Sequence, residues 1–205
     1  MSDELRNYNF STGIYNAKQW EALMGLSSDV NLIQSWAYGE AKVKTGNWEV
    51  ERGLITDENG NAVGACQAFV RQIRFLGDAF VWINRGPIAL SEKISSEHYR
   101  EMLMALVRHY VDKRRLYVRI APMWKERVSG QEWFDTCGLT RTNTRGWSSA
   151  IVDLQLPVNA IRAQLHGKWR NALVRAEKSE IQVRDGDDEV LFKIFLEGYS
   201  KHLEQ

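Results

Sequence analysis

Apolar residues recur along this chain at the two periods that separate helices from strands. Trp20, Leu23 and Met24 share one helical face over residues 16–26, and residues 34–44 read as a second helix that Gly46 stops. Residues 48–56 alternate as a strand, Asp57-Glu58-Asn59-Gly60-Asn61 is turn-forming, and 62–75 is a long strand, so the three predict a hairpin. A further strand over 79–84 breaks at Arg85-Gly86-Pro87. Tyr99, Met102, Leu103, Leu106, Val107 and Tyr110 then place a long helix over 95–114, and a strand over 116–121 ends at Pro122.

Beyond Pro122 the pattern predicts a short helix over 131–137 stopped by Gly138 and a strand over 148–154. Pro157 then opens helices over 158–165 and 168–178, a strand over 181–184 and an amphipathic helix over 187–203. The fold class is α/β with mixed helix and strand content. The domain border falls near residues 154–158, giving segments 1–155 and 156–205, the second below the size that usually supports its own core.

The helix over 168–178 separates into two faces. Trp169, Ala172, Leu173 and Ala176 follow i, i+3, i+4, i+7 spacing and form an apolar stripe, while Lys168, Arg170, Arg175 and Lys178 lie around the other side. Such a helix can dock on a domain and show four cations to a polyanion. The plain alternative is a solvated helix face.

Composition narrows the function classes. At 205 residues and 44% hydrophobic content the chain can bury one core and begin a second. The net charge of +1, from 27 basic and 26 acidic residues, means that any anion site must be local. Residues 1–10 carry charges and no apolar stretch, and no run approaches the roughly 18 residues needed to span a bilayer. The expected location is cytoplasmic or peripheral to the inner face of the membrane. Cys66 and Cys137 sit in apolar contexts and read as reduced core thiols, and His98, His109, His166 and His202 lack ligand spacing, so no metal is expected. There is no G-x-S-x-G, H-E-x-x-H, C-x-x-C or Walker loop. The Q/R-x-x-G-x-G/A loop with which acetyl-coenzyme-A-dependent acyltransferases cradle pyrophosphate is also missing, which counts against an ordinary acetyltransferase.

What remains is an ordered set of short motifs. Gln34-Ser35-Trp36-x-x-Gly39-x-x-Lys42 comes first, then Trp48, a hairpin with Gly60 and Val63-Gly64, Arg85-Gly86-Pro87, and a strand ending Ile120-Ala121-Pro122. Lys168-Trp169-Arg170-Asn171-x-x-x-Arg175-Ala176-Glu177-Lys178 closes the series. Together they resemble the Fem family of non-ribosomal peptidoglycan aminoacyl transferases over nearly the whole chain. The resemblance implies tandem domains of the Gcn5-related N-acetyltransferase type, each a mixed sheet flanked by helices, with the amino-terminal one recognising the acceptor. It also implies transfer of an amino acid from aminoacyl-tRNA, a co-substrate in place of any cofactor, to the stem-peptide amine of a phosphate-bearing muropeptide.

Carried onto this sequence, the resemblance implies phosphate contacts in the segments containing Lys42 and Lys44, which rank equally, and Arg170 and Arg175. Arg170 is the stronger candidate on its helix because a guanidinium offers phosphate a bidentate fork. Trp48 and Arg85 are second-rank sites, since Trp48 reads more readily as hairpin core and Arg85 as a partner of carbonyls at the bend. No catalytic residue is assigned, and Asp153, on its strand at the border, reads as structural. Glu180 stands where the family has a glycine. The chain also stops inside what should be the second domain's first long helix, so it is expected to be an amino-terminal portion or to need a partner chain. Two alternatives stay open: a similar N-acyltransferase acting on another amine in polysaccharide or exported-polymer synthesis, and a catalytically silent module that binds a phosphorylated cell-wall precursor.

Overall fold

The computed structural model describes residues 7–27, 31–73, 75, 77–91, 94–123, 134–142, 152–179 and 181–204. The chain forms two units, Met1–Asn143 and Thr144–Gln205.

The first unit is a mixed sheet flanked by helices. Its strands are β1 (Asn9–Thr12), β2 (Glu49–Thr56), β3 (Ala62–Ile73), β4 (Gly77–Asn84), β5 (Ile88–Ala89) and β6 (Tyr117–Ala121). They run in the order β1-β2-β3-β4-β6, antiparallel until β6, which lies parallel to β4, and β5 pairs with β3. The β2–β3 turn is the one expected: Gly60 takes φ +82°, and the Asp57 carboxylate accepts from the Asn59 and Asn61 backbone.

The helices follow their local signals. In α1 (Ala17–Met24) Asn16 and Gln19 form a reciprocal capping box. A 3-10 turn over Leu32–Gln34 precedes α2 (Trp36–Thr45), which Ser35 caps. The helix expected to begin at Gln34 therefore starts two residues later, because Gln34 is used inside the sheet. In α3 (Ser96–Val107) Ser95 is the cap, and the helix widens into a π-helical segment, Arg108–Lys113.

Each sheet face carries its own core. Cys66, Ala68, Val70, Val81 and Ile83 pack with Tyr99, Met102, Leu103 and Leu106 of α3, and Cys137, which is in no disulfide, joins them. On the other face Trp20 and Met24 of α1 pack with Ala65 and Ile88.

The second unit contains α4 (Val158–Gln164), α5 (Gly167–Lys178) and α6 (Glu189–Leu203). Arg162 of α4 pairs with Glu177 of α5 through two bonds of 2.6 and 2.7 Å. Two expected strands are not formed where they can be followed: residues 152–154 and 181–184 carry no strand pairing. Asp153 is accordingly in a turn, where its carboxylate accepts from the Gln155 N–H at 3.0 Å. Trp169, in the apolar stripe of α5, is 72% exposed. No described strand of this unit offers it an apolar face. Glu180 and residues 131–133 and 148–151 lie outside the described residues. Among the described residues no helix is long and apolar enough to cross a membrane.

Candidate ligand-binding groove

The motif that opens the resemblance is first of all architecture. Gln34 is fully buried, and its side-chain amide takes the place of a strand beside β3. Its Oε1 accepts from the Gln67 N–H at 2.7 Å, while its Nε2 donates to the Gln67 carbonyl at 3.0 Å and to the Asn84 carbonyl at 2.8 Å. The reason lies in the pairing of β3, which meets β4 from Phe69 to Ile73 and β5 at Gly64–Ala65 and leaves Gln67 between the two. Buried backbone groups in such a gap must be satisfied by something.

Arg52 and Gln67 build on that plug. Arg52 Nε donates to Gln67 Oε1 at 2.8 Å, and Nη2 reaches Glu40 at 3.2 Å. The Arg52 guanidinium lies over the Trp36 ring, 3.7 Å from its centroid. Burial lowers the Arg52 pKa, and the hydrogen bond it donates to Glu40 opposes that shift. Gly39 passes so closely over this pair that a Cβ there would overlap both Arg52 Nη2 and Gln67 Oε1. The network holds α2, and with it Lys42, on the sheet.

Alternation then decides what the uncovered part of the same face presents. Phe69 and Arg71 of β3, Phe80 and Trp82 of β4, and Tyr117 and Arg119 of β6 share it, because the register sets Phe69 opposite Trp82, Arg71 opposite Phe80, and Phe80 opposite Tyr117. Trp48, just ahead of β2, completes the surface with ring centroids 6.0 Å from Phe80 and 6.2 Å from Trp82. The result is an open trough of about 670 Å³ lined by Trp48, Arg71, Gln72, Ile73, Phe80, Trp82 and Arg119. The Arg71 guanidinium lies 5.4 Å from the Trp48 ring centroid, and Phe80 and Tyr117 stack at 5.7 Å. Gln72 donates to Glu49 at 2.8 Å at the rim.

The expected site residues divide by place. Trp48 lines the trough and Lys42 does not, although a chain of ring contacts runs from one to the other. Lys42 Nζ is 5.8 Å from the Tyr38 centroid, Tyr38 is 6.0 Å from Phe69, and Phe69 is 6.4 Å from Trp48. Gly46, which ends α2, lets Trp48 close in, since a Cβ there would sit 2.9 Å from the Trp48 ring. Lys44, in the last turn of α2, is exposed. Arg85 lies at the end of β4 with φ +53°, its N–H donating to the Ala121 carbonyl at 2.7 Å and its carbonyl accepting from Asn31 at 3.1 Å. It does not line the trough. Arg170 and Arg175 are exposed on α5 in the second unit, where Arg170 Nη1 donates to the Ala163 carbonyl at 3.0 Å and Arg175 Nε to Asn171 of its own helix at 3.4 Å. One N–H of the Arg170 fork is thus engaged at the end of α4.

Arg71, Phe80, Trp82, Tyr117 and Arg119 were not singled out in the sequence. Their alternation along β3, β4 and β6 was visible, but only the pairing order puts the three strands side by side. The chain matches no protein-family model and no curated protein.

Proposed function

We propose that the chain is the amino-terminal, acceptor-recognising portion of a Fem-like aminoacyl transferase. The parent reaction is aminolysis: a neutral amine of the stem peptide attacks the ester carbonyl of aminoacyl-tRNA, an amide bond forms, the ester bond breaks, and the amine proton ends on the departing ribose oxygen. The ester is already activated, so holding amine and carbonyl in attack geometry supplies up to about 7–11 kcal/mol in favourable cases. The mixed sheet flanked by helices supports a Gcn5-related N-acetyltransferase type of domain. The observation that carries the reading is the uncovered aromatic and cationic sheet face next to α2, the helix that bears Lys42 and that a buried network holds on the sheet, a combination suited to a phosphate-bearing acceptor.

Calorimetric titration with a nucleotide-linked muropeptide tests it. Lys42→Ala should weaken binding by about 1.5–3 kcal/mol, the scale of a hydrogen bond to a charged group. Lys44→Ala should cost less, since that side chain is not ordered against a ring. Equal affinity for wild type and Lys42→Ala would remove the acceptor reading. Turnover with charged tRNA and muropeptide separates a transferase from the silent module.

A further inference from the structure

We infer that the end of the sheet where the β3–β4 hairpin turns is a docking face for an anionic lipid bilayer. β3 runs antiparallel to β2 and β4, so the start of β2, the hairpin tip and the start of β4 lie at one end, and β6, parallel to β4, begins there too. The tip carries Ile73, 46% exposed, and Phe75, 93% exposed. Phe75 has φ +75°, a backbone conformation in which glycine or asparagine is usual. Exposed cations stand on both sides of the tip, because the strand order sets it between β2 and β6. Lys44 lies in the last turn of α2, just ahead of β2, and Lys113 and Arg115 lie just ahead of β6.

Charge and shape together name the occupant. Of the acids described at this end, Glu49 accepts from Gln72, Glu51 is held by Arg114 through two bonds, and Asp112 is exposed beside Lys113. Lys44, Lys113 and Arg115 are in no ion pair among the described residues, so they are left to meet an external anion. A narrow apolar tip between cations suits a bilayer of anionic lipid, where apolar side chains sink roughly 5–10 Å to the acyl boundary and lysine and arginine stay at the phosphates. A protein partner would need a broader apolar patch than one hairpin tip. A dissolved polyanion would use the cations and leave Phe75 idle. The inference goes beyond the acceptor reading, which concerns the sheet face and not its end.

The test uses the full chain, with vesicles of phosphatidylcholine alone or with about a third phosphatidylglycerol, and heparin as a polyanion without an apolar phase. Co-sedimentation should show at least about tenfold tighter binding to the anionic vesicles, weakening as salt rises. Phe75→Gly suits the φ of its position, so the variant should fold, and it should weaken binding to anionic vesicles about tenfold while binding heparin as wild type does. Lys113→Gln and Arg115→Asn, the latter acceptable at the φ of +60° found there, should each cost about fivefold at low salt and less at high salt. Equal binding to the two kinds of vesicle would overturn the docking face. Vesicle binding that survives Phe75→Gly would overturn it as well, by placing membrane contact elsewhere or leaving this end a site for dissolved polyanions. Absence of vesicle binding overturns it whatever the muropeptide titration gives, and vesicle binding without muropeptide binding upholds it and removes the acceptor reading instead.

Discussion

At the scale of single residues, the constraint is tightest at Gly39, over the Arg52–Gln67 pair. Gly39→Ala should destabilise the first unit by about 2–4 kcal/mol, because the new methyl must break a buried hydrogen bond or lift α2. Urea unfolding measures this, and a loss below about 0.5 kcal/mol would show that the helix shifts freely. The Gln34-Ser35-Trp36-x-x-Gly39-x-x-Lys42 series could be read in the sequence as a unit, but not what it does. Gln34 plugs a gap, Ser35 caps a helix, Trp36 roofs an arginine, and Lys42 lies over the Tyr38 ring of its own helix. Polar residues in a helical segment give no sign that they will be buried until the sheet they satisfy is known. Arg52 shows the same difficulty, being charged, central to a strand and only 8% exposed.

At the scale of elements, periodicity recovered the helices of the first unit and the β2–β3 hairpin, and missed the shortest pieces. β1 has four residues and β5 two, too few for alternation to register, and both exist through their partners: Asn9 pairs with Thr56, and Ile88 with Ala65. The expected long helix over 95–114 is present but changes pitch at Arg108, where widened turns are often found at functional or strained places. Arg108 there donates to the Tyr8 carbonyl at 2.7 Å, and Arg114 grips Glu51 through two bonds. Between them His109 packs on Phe10, 5.0 Å from its ring centroid, and Tyr110. Burial first, then the Arg114 charge, lowers the His109 pKa below its usual 6.5. The unfolded chain therefore binds this proton at a higher pH than the folded one. Stability is complete above about pH 6.5 and falls as pH drops through that value toward the folded pKa. Denaturation at pH 7.5 and 5.5 should show this loss, and His109→Phe should reduce it. An unchanged pH dependence in the variant would place its origin elsewhere.

At the scale of the whole molecule, composition placed one good core, and the sheet of the first unit holds it on both faces. The second unit is less predictable from pattern, because an apolar stripe announces that a helix wants cover without saying what provides it. α6 exposes Phe192, Phe195, Tyr199 and Leu203, each more than half, although its sequence reads as amphipathic. The trough was illegible for a related reason, since the pairing of β3, β4 and β6 brings together residues nearly fifty positions apart.

The plug at Gln34 has a consequence for the order in which the first unit assembles. Its bonds to Gln67 and Asn84 span 33 and 50 positions, while the hairpins they complete close over far shorter loops. Hairpins form first when loop closure dominates the barrier, so the amide should enter its gap after the transition state. Gln34→Ala should then accelerate unfolding and leave refolding nearly unchanged in a stopped-flow chevron. A fall in the refolding rate equal to the whole loss of stability would instead place the segment before α2 in the folding nucleus. If the late order holds, chains still emerging from synthesis expose an unpaired stretch of β3 at Gln67 that only their own amino terminus can close, which makes that gap the point where two nascent copies would most readily pair wrongly.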